Sequence, residues 1–137
     1  MLHIQSLQIT IKCLFVQDLK SAEETYKEIQ DCYDQILRAL DVPYVCVQGD
    51  TGAIGGSKSH EYHFISDIGQ DDLIICNHCG HGSNLELLAG QDKNSICSRD
   101  SDKDLETRKG IEVGHTFLLG KYLDHYLMFC RISTFDS

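Results

Sequence analysis

Between Ser21 and Leu40 the apolar residues Ala22, Tyr26, Ile29, Tyr33, Ile36, Leu37 and Leu40 recur at steps of three and four. That spacing lays one apolar stripe along an α-helix and requires a surface to bury it. Ser21 and Glu24 form an S-x-x-E capping box, in which each side chain satisfies an otherwise orphan backbone N–H, so the helix is expected to open at Ser21. Asp41-Val42-Pro43 closes it, because proline disfavours helical geometry in the residue before it. The other apolar stretches read as strands: Ile9 to Val16, Tyr44 to Val47, Tyr62 to Ser66, Leu73 to Cys76 and Ile111 to Leu119. Tyr122 to Ile132 fits strand or helix. The turn Asp67 to Asp72 is short, which favours antiparallel pairing of the strands on either side. Residues 80–110 are polar and predict a loop or small insertion, with a short helix around Asn84 to Leu88. One helix among mostly antiparallel strands predicts an α+β domain.

A chain of 137 residues fits a single domain with a real core. Its net charge of −9 argues against a broadly electrostatic nucleic-acid binder, since phosphate contacts need clustered Lys and Arg. No run of 18 apolar residues predicts a transmembrane helix, and no membrane partner is expected. Met1 to Gln5 lacks the charged start of a signal peptide and the Arg-rich pattern of a transit peptide. Seven cysteines, at 13, 32, 46, 76, 79, 97 and 130, are an odd number in a chain without a secretion signal, so reduced thiols are expected. Cys13, Cys32, Cys46 and Cys130 read as small apolar fillers, Tyr26 and Tyr33 as core, and the mixed charges of Arg99 to Lys109 as a solvated loop.

The richest chemistry lies in the run from Gly49 to Phe64, which packs four glycines, an acid, a lysine, two histidines and a glutamate between strand-like stretches. So little apolar mass predicts a small contribution to the core. Its glycines then serve backbone shape and close approach to a ligand, with its polar groups serving chemistry, or the run is a plain Gly-rich hairpin turn with solvated charges.

Two blocks carry a resemblance. Asp50-Thr51-Gly52-Ala53-Ile54-Gly55-Gly56-Ser57-Lys58-Ser59-His60-Glu61, followed by Asp67-Ile68-Gly69-Gln70-Asp71-Asp72, resembles the segment after motif 2 of bacterial and mitochondrial prolyl-tRNA synthetases. Gly110-Ile111-Glu112-Val113-Gly114-His115-Thr116-Phe117-Leu118-Leu119-Gly120 is similar to the strand that this family carries after its insertion point. With the helix before them, the likeness covers roughly residues 15–122. It implies part of a class II synthetase catalytic core, an antiparallel sheet flanked by helices and normally dimeric. The implied activity is ATP- and Mg2+-dependent activation of proline and its transfer to proline tRNA, in the mitochondrial matrix or the cytoplasm. No residue here is implied as a covalent catalyst. Gly55, Gly56, Ser59, His60, Glu61, Gly114 and His115 fall at the positions that line the proline and adenylate pocket, and Gly110 with Gly114 would keep the strand close to the substrate.

The departures set further expectations. Residues 1–20 do not reproduce the arginine-bearing opening of motif 2, and no Gly-x-Gly-x-x-Arg pattern of motif 3 follows residue 122. Motif 1 and the upstream Thr-x-Glu element are likewise not found in it. The chain is therefore expected to be one partial catalytic domain, poorly soluble and without aminoacylation activity alone. Preservation of His60, Glu61 and His115 favours that over a second reading, a non-catalytic accessory or partner-binding relative. Residues 77–109 are too few for the editing domain of bacterial relatives and imply the short connection of mitochondrial types. Within it, Cys76-Asn77-His78-Cys79 forms a C-x-x-C knuckle, so Cys76, Cys79, His81 and Cys97 could bind Zn2+ tetrahedrally, or be a decayed ribbon of plain thiols. A small zinc-ribbon interaction module is a third reading, confined to residues 76–97.

Overall fold

The computed structural model describes residues 7–88, 104–122 and 125–135. In chain order these form β1 (Leu7–Val16), α1 (Leu19–Ala39), β2 (Tyr44–Gln48), β3 (Lys58–Ile65), β4 (Asp71–Cys76), β5 (Gly82–Asn84), β6 (Leu105–Tyr122) and β7 (His125–Phe135). Among the described residues, one α-helix and one sheet, ordered β1-β7-β6-β3-β2-β5-β4, make the α+β fold that the sequence predicts. Every ladder is antiparallel except the single β2–β5 bridge, Gln48 to Ser83.

The 18-residue strand β6 is the spine. It pairs with β4 through Leu105–Gly110, with β3 through Gly110–Leu118, and with β7 from Gly114 onwards. The expected antiparallel pairing of β3 with β4 does not occur. Both edges of β3 are already taken, by β2 and β6, so β4 has no edge left and instead follows β3 along the same strand. Gly110 therefore stands opposite both Ile65 and Asp71. Gly69 turns the chain at this junction, where a Cβ would lie 2.2 Å from the Gly110 carbonyl oxygen. The pairings β6–β3, β3–β2, β2–β5, β5–β4 and β4–β6 close a ring.

Helix α1 covers one face of the sheet. Ala22, Tyr26, Tyr33 and Leu37 are buried, and Tyr33 stacks on Tyr62 of β3 with ring centroids 4.5 Å apart. Val113 joins that cluster, with Tyr44, Cys46, Phe64 and Ile111 packed around it, while Leu118 meets Ala22 and Tyr26. The stripe is narrower than its spacing suggests: Ile36 and Leu40 are more than half exposed, near the helix end. The helix also opens earlier than the capping box predicts. Asp18 is the cap, accepting from Ser21 N at 2.8 Å and Ser21 Oγ at 3.2 Å, and Ser21 sits inside the first turn. An aspartate at this position satisfies the same orphan N–H and adds a negative charge at the positive end of the helix. The helix ends as expected, with Asp41 in the left-handed region at φ 54°.

The polar stretch of 80–110 is less of a loop than its composition implies. It contributes β5, a 3-10 turn over Leu85–Leu88, and the first residues of β6. The charges of 105–109 lie along that strand, where Arg108 pairs with Glu106 at 2.9 Å and Lys109 with Asp72 at 3.0 Å. The segment 122–132 resolves as strand, from His125. Cys13 and Cys32 are exposed rather than filling the core, whereas Cys46 is half-buried and its thiol is pushed up to about 11 by burial.

Candidate functional site

The Gly-rich run divides into a connection and a strand. Gly49 to Ser57 joins β2 to β3, with Asp50 Oδ1 accepting from Gly52 N at 3.0 Å and a 3-10 turn over Gly52–Ile54. Gly55 and Gly56 both have positive φ, and a Cβ on Gly56 would lie 2.6 Å from the Leu118 carbonyl oxygen. These glycines fold the connection down onto the end of β6, where Ser57 N donates to Leu118 O at 2.8 Å. Strand β3 then starts at Lys58, so the serine, histidines and glutamate of the run are strand residues. Ser59, Glu61 and His63 are buried, against the expectation of a segment outside the core.

Alternation along β3 separates these residues onto two faces. His60 and Tyr62 face α1. The Tyr26 hydroxyl lies 2.8 Å from His60 Nδ1, and Thr116 Oγ1 donates to the Tyr26 hydroxyl at 3.2 Å. Burial holds the His60 imidazole below its ordinary range, with smaller contributions from Lys58, His115 and His81, and pushes the Tyr26 phenol up to about 12. His60 also lines a cavity of about 460 Å³ beside α1, together with Cys46, Cys79 and His81.

Ser59, Glu61 and His63 point to the other face. Glu61 stands opposite His115 in the β3–β6 register. His115 Nε2 hydrogen-bonds Ser59 Oγ and lies 3.9 Å from Glu61 Oε1, and its ring stacks on Phe117. Glu61 Oε2 is 2.9 Å from His63 Nε2 and accepts from Asn84 Nδ2 at 3.1 Å. A carboxylate only accepts, so the proton of the His63–Glu61 bond belongs to Nε2. His63 Nδ1 is buried without a hydrogen-bond partner among the described residues, 3.6 Å from Asp71 Oδ2. His115 Nδ1 is 3.4 Å from Glu112 Oε1. Three carboxylates and two imidazoles thus alternate in a row, Asp71–His63–Glu61–His115–Glu112. Burial raises the Asp71 carboxyl above its usual range, opposed by His63 and reinforced by Glu61 and Glu112.

Two backbone features permit this arrangement. A register shift falls between Tyr62 and His63, where Tyr62 pairs with Gly114 but His63 with Glu112. The extra residue in β6, Val113, turns into the core under α1 and lets Glu112 and His115 share a face. In a regular strand, residues three apart point to opposite faces. Glycine at 49 is the second: a Cβ there would lie 2.6 Å from Glu61 Oε1.

Of the residues singled out from sequence, the structure joins Ser59, Glu61 and His115, places Gly55 and Gly56 in the connection beside β6, and sets Gly114 opposite Tyr62. It places His60 on the opposite face. Gly110 keeps β6 close to protein, since its Cβ would lie 2.6 Å from Leu73 Cδ1 and 3.0 Å from His63. His63, Asp71, Asn84 and Glu112 were not legible as site residues. Of the knuckle, Cys76 is buried, Cys79 and His81 are exposed, and Cys97 lies outside the described residues. Among the described residues no three His, Cys, Asp or Glu side chains are grouped to hold a metal ion.

The human protein named "Probable proline--tRNA ligase, mitochondrial" is 42% identical over 101 residues, which is 74% of this chain and 21% of that protein. The Schizosaccharomyces pombe protein of the same name is 31% identical over 121 residues, 86% of this chain and 28% of its own length. A proline–tRNA ligase of Acidithiobacillus ferrooxidans is 36% identical over 77 residues, 56% of this chain and 14% of that protein. This segment belongs to the proline–tRNA ligase family. The chain spans about a fifth of the length of the mammalian mitochondrial ligases that it matches. No family model matches it.

Proline–tRNA ligases use ATP with Mg2+, and the described site does not fit the triphosphate. The row Asp71–His63–Glu61–His115–Glu112 consists of carboxylates and imidazoles alone. Among the described residues, no helix is long and apolar enough to cross a membrane.

Proposed function

We propose that this chain supplies one wall of the amino-acid pocket of a proline–tRNA ligase of mitochondrial type. The wall is the sheet face away from α1, with Ser59, Glu61 and His115 as its working groups and Gly55 and Gly56 shaping its rim. The observation that carries this reading is the Glu61–His115 pair, buried and directly opposed across β3 and β6. Proline presents a secondary ammonium and a carboxylate on a small rigid ring. A buried carboxylate oxygen suits the first, and an imidazole held by Ser59 gives a directional polar contact beside it. These groups bind and orient; none acts as a nucleophile, and charge on the reacting phosphate is met by cations outside the described site. The activity so proposed is ATP-dependent activation of proline and transfer to proline tRNA, by a class II synthetase core acting as a homodimer, in mitochondria. The connection 77–109 occupies the place of the bacterial editing insertion.

The test replaces the matching segment of the human mitochondrial ligase with residues 15–122 of this chain and measures proline-dependent ATP–pyrophosphate exchange. The chimera exchanges pyrophosphate with proline and not with alanine or cysteine, while the 137-residue chain alone shows no exchange. A folded chimera without proline-dependent exchange would overturn the proposal.

A further inference from the structure

Glu61 is a buried carboxylate among polar side chains, and its two oxygens differ. Oε2 is saturated on the protein side: His63 Nε2 lies 2.9 Å away and Asn84 Nδ2 donates at 3.1 Å. Oε1 faces His115 Nε2 at 3.9 Å, beyond hydrogen-bond range. The two donors come from different elements. His63 is two residues along β3, and Asn84 ends β5, reaching across the ring of strands. All three residues are buried, with His63 fully so. Asn84 is itself fixed, because its Oδ1 accepts from Glu86 N at 3.1 Å, which leaves its amide nitrogen aimed at Glu61. Gly49 lies against Oε1, and its lack of a Cβ, which would stand 2.6 Å away, leaves that oxygen in place.

We propose that Asn84 and His63 are positioning residues: together they clamp Glu61 by one oxygen, so that the other is presented in a fixed direction beside His115 for a ligand N–H. A carboxylate held by two donors from two elements cannot swing about its last torsions, and that fixed acceptor is what discrimination between a secondary ammonium and other small ligands requires. Its relevance to proline rests on the pocket reading above, whereas the clamp itself is a property of this chain and is tested separately.

The experiment is ring-nitrogen NMR of the 15N-histidine-labelled 137-residue chain at neutral pH, with backbone amide dispersion as the check on folding. His63 shows the Nε2–H tautomer, and Glu61→Leu, which removes the acceptor, abolishes that preference. Asn84→Ala shifts the His115 ring signals through Glu61, which its amide holds, and His63→Gln, which keeps a donor near Glu61, leaves them close to wild type. Ser83→Ala, one residue from Asn84, leaves them unmoved. A His63 ring in the Nδ1–H tautomer would overturn the clamp, as would His115 signals unchanged in a folded Asn84→Ala chain. In the chimeric ligase, Asn84→Ala raises the KM for proline by about tenfold, the size of one lost charge-assisted hydrogen bond, and leaves the KM for ATP unchanged. A chimera without exchange alongside the expected NMR result would refute the pocket reading and leave the clamp standing. The expected kinetics with a Nδ1–H His63 would do the reverse.

Discussion

His60 and His115 were indistinguishable as letters, and the structure gives them opposite surroundings. Both lie in strands of the sheet, but one faces Tyr26 under the helix and the other faces Glu61 on the buried face away from it. Alternation could in principle have separated them, had the start of β3 been readable four residues earlier than the apolar pattern suggests. Burial lowers the folded-state pKa of His60 below the ordinary 6.5, so between those values the unfolded chain binds more protons than the folded one. Stability from this group is therefore complete above pH 6.5 and is lost as pH falls through the window beneath it. Urea melts at pH 7.5 and 5.5 should show a larger loss for wild type than for His60→Gln. Packing makes a second prediction. Tyr62 is 1% exposed and stacked on Tyr33, so Tyr62→Ala costs about 3–5 kcal/mol in the same melts. Gly110→Ala is milder, about 1–3 kcal/mol, because its Cβ must displace Leu73 and His63.

At the scale of elements, periodicity located α1 and most strands, and their local chemistry misled at the ends. The S-x-x-E pattern is real in sequence, yet Asp18 reached the same N–H first. Asp18→Ala should cost about 1 kcal/mol, and Ser21→Ala clearly less; thermal melts of the two variants check the order. The hairpin expected between β3 and β4 failed for a reason that no local window contains: the edges of β3 were filled by β2 and by β6, which begins some forty residues later. The bulge at Val113 is equally non-local in its effect. It turns Glu112 and His115 to one face, a pairing that the spacing of three in a strand argues against. Asn84 was lost in a stretch too polar to read as strand, although it is buried and bound to Glu61.

For the whole molecule, two blocks of sequence were enough to place the segment among the proline–tRNA ligases, and the fold then explains what those blocks build. The glycine connection seats β3 against β6, and the two strands oppose Glu61 and His115 on a face that α1 leaves uncovered. Which face binds proline is the central claim, and one comparison within the chimeric ligase tests it most directly. His115→Ala and His60→Gln are assayed for the KM of proline in pyrophosphate exchange. The pocket reading predicts that His115→Ala raises that KM by about tenfold or more while His60→Gln leaves it within about twofold, since only the first removes a contact on the face away from α1. The reverse pattern, with His60→Gln raising the KM and His115→Ala leaving it unchanged, would place the pocket beside α1 and contradict the account.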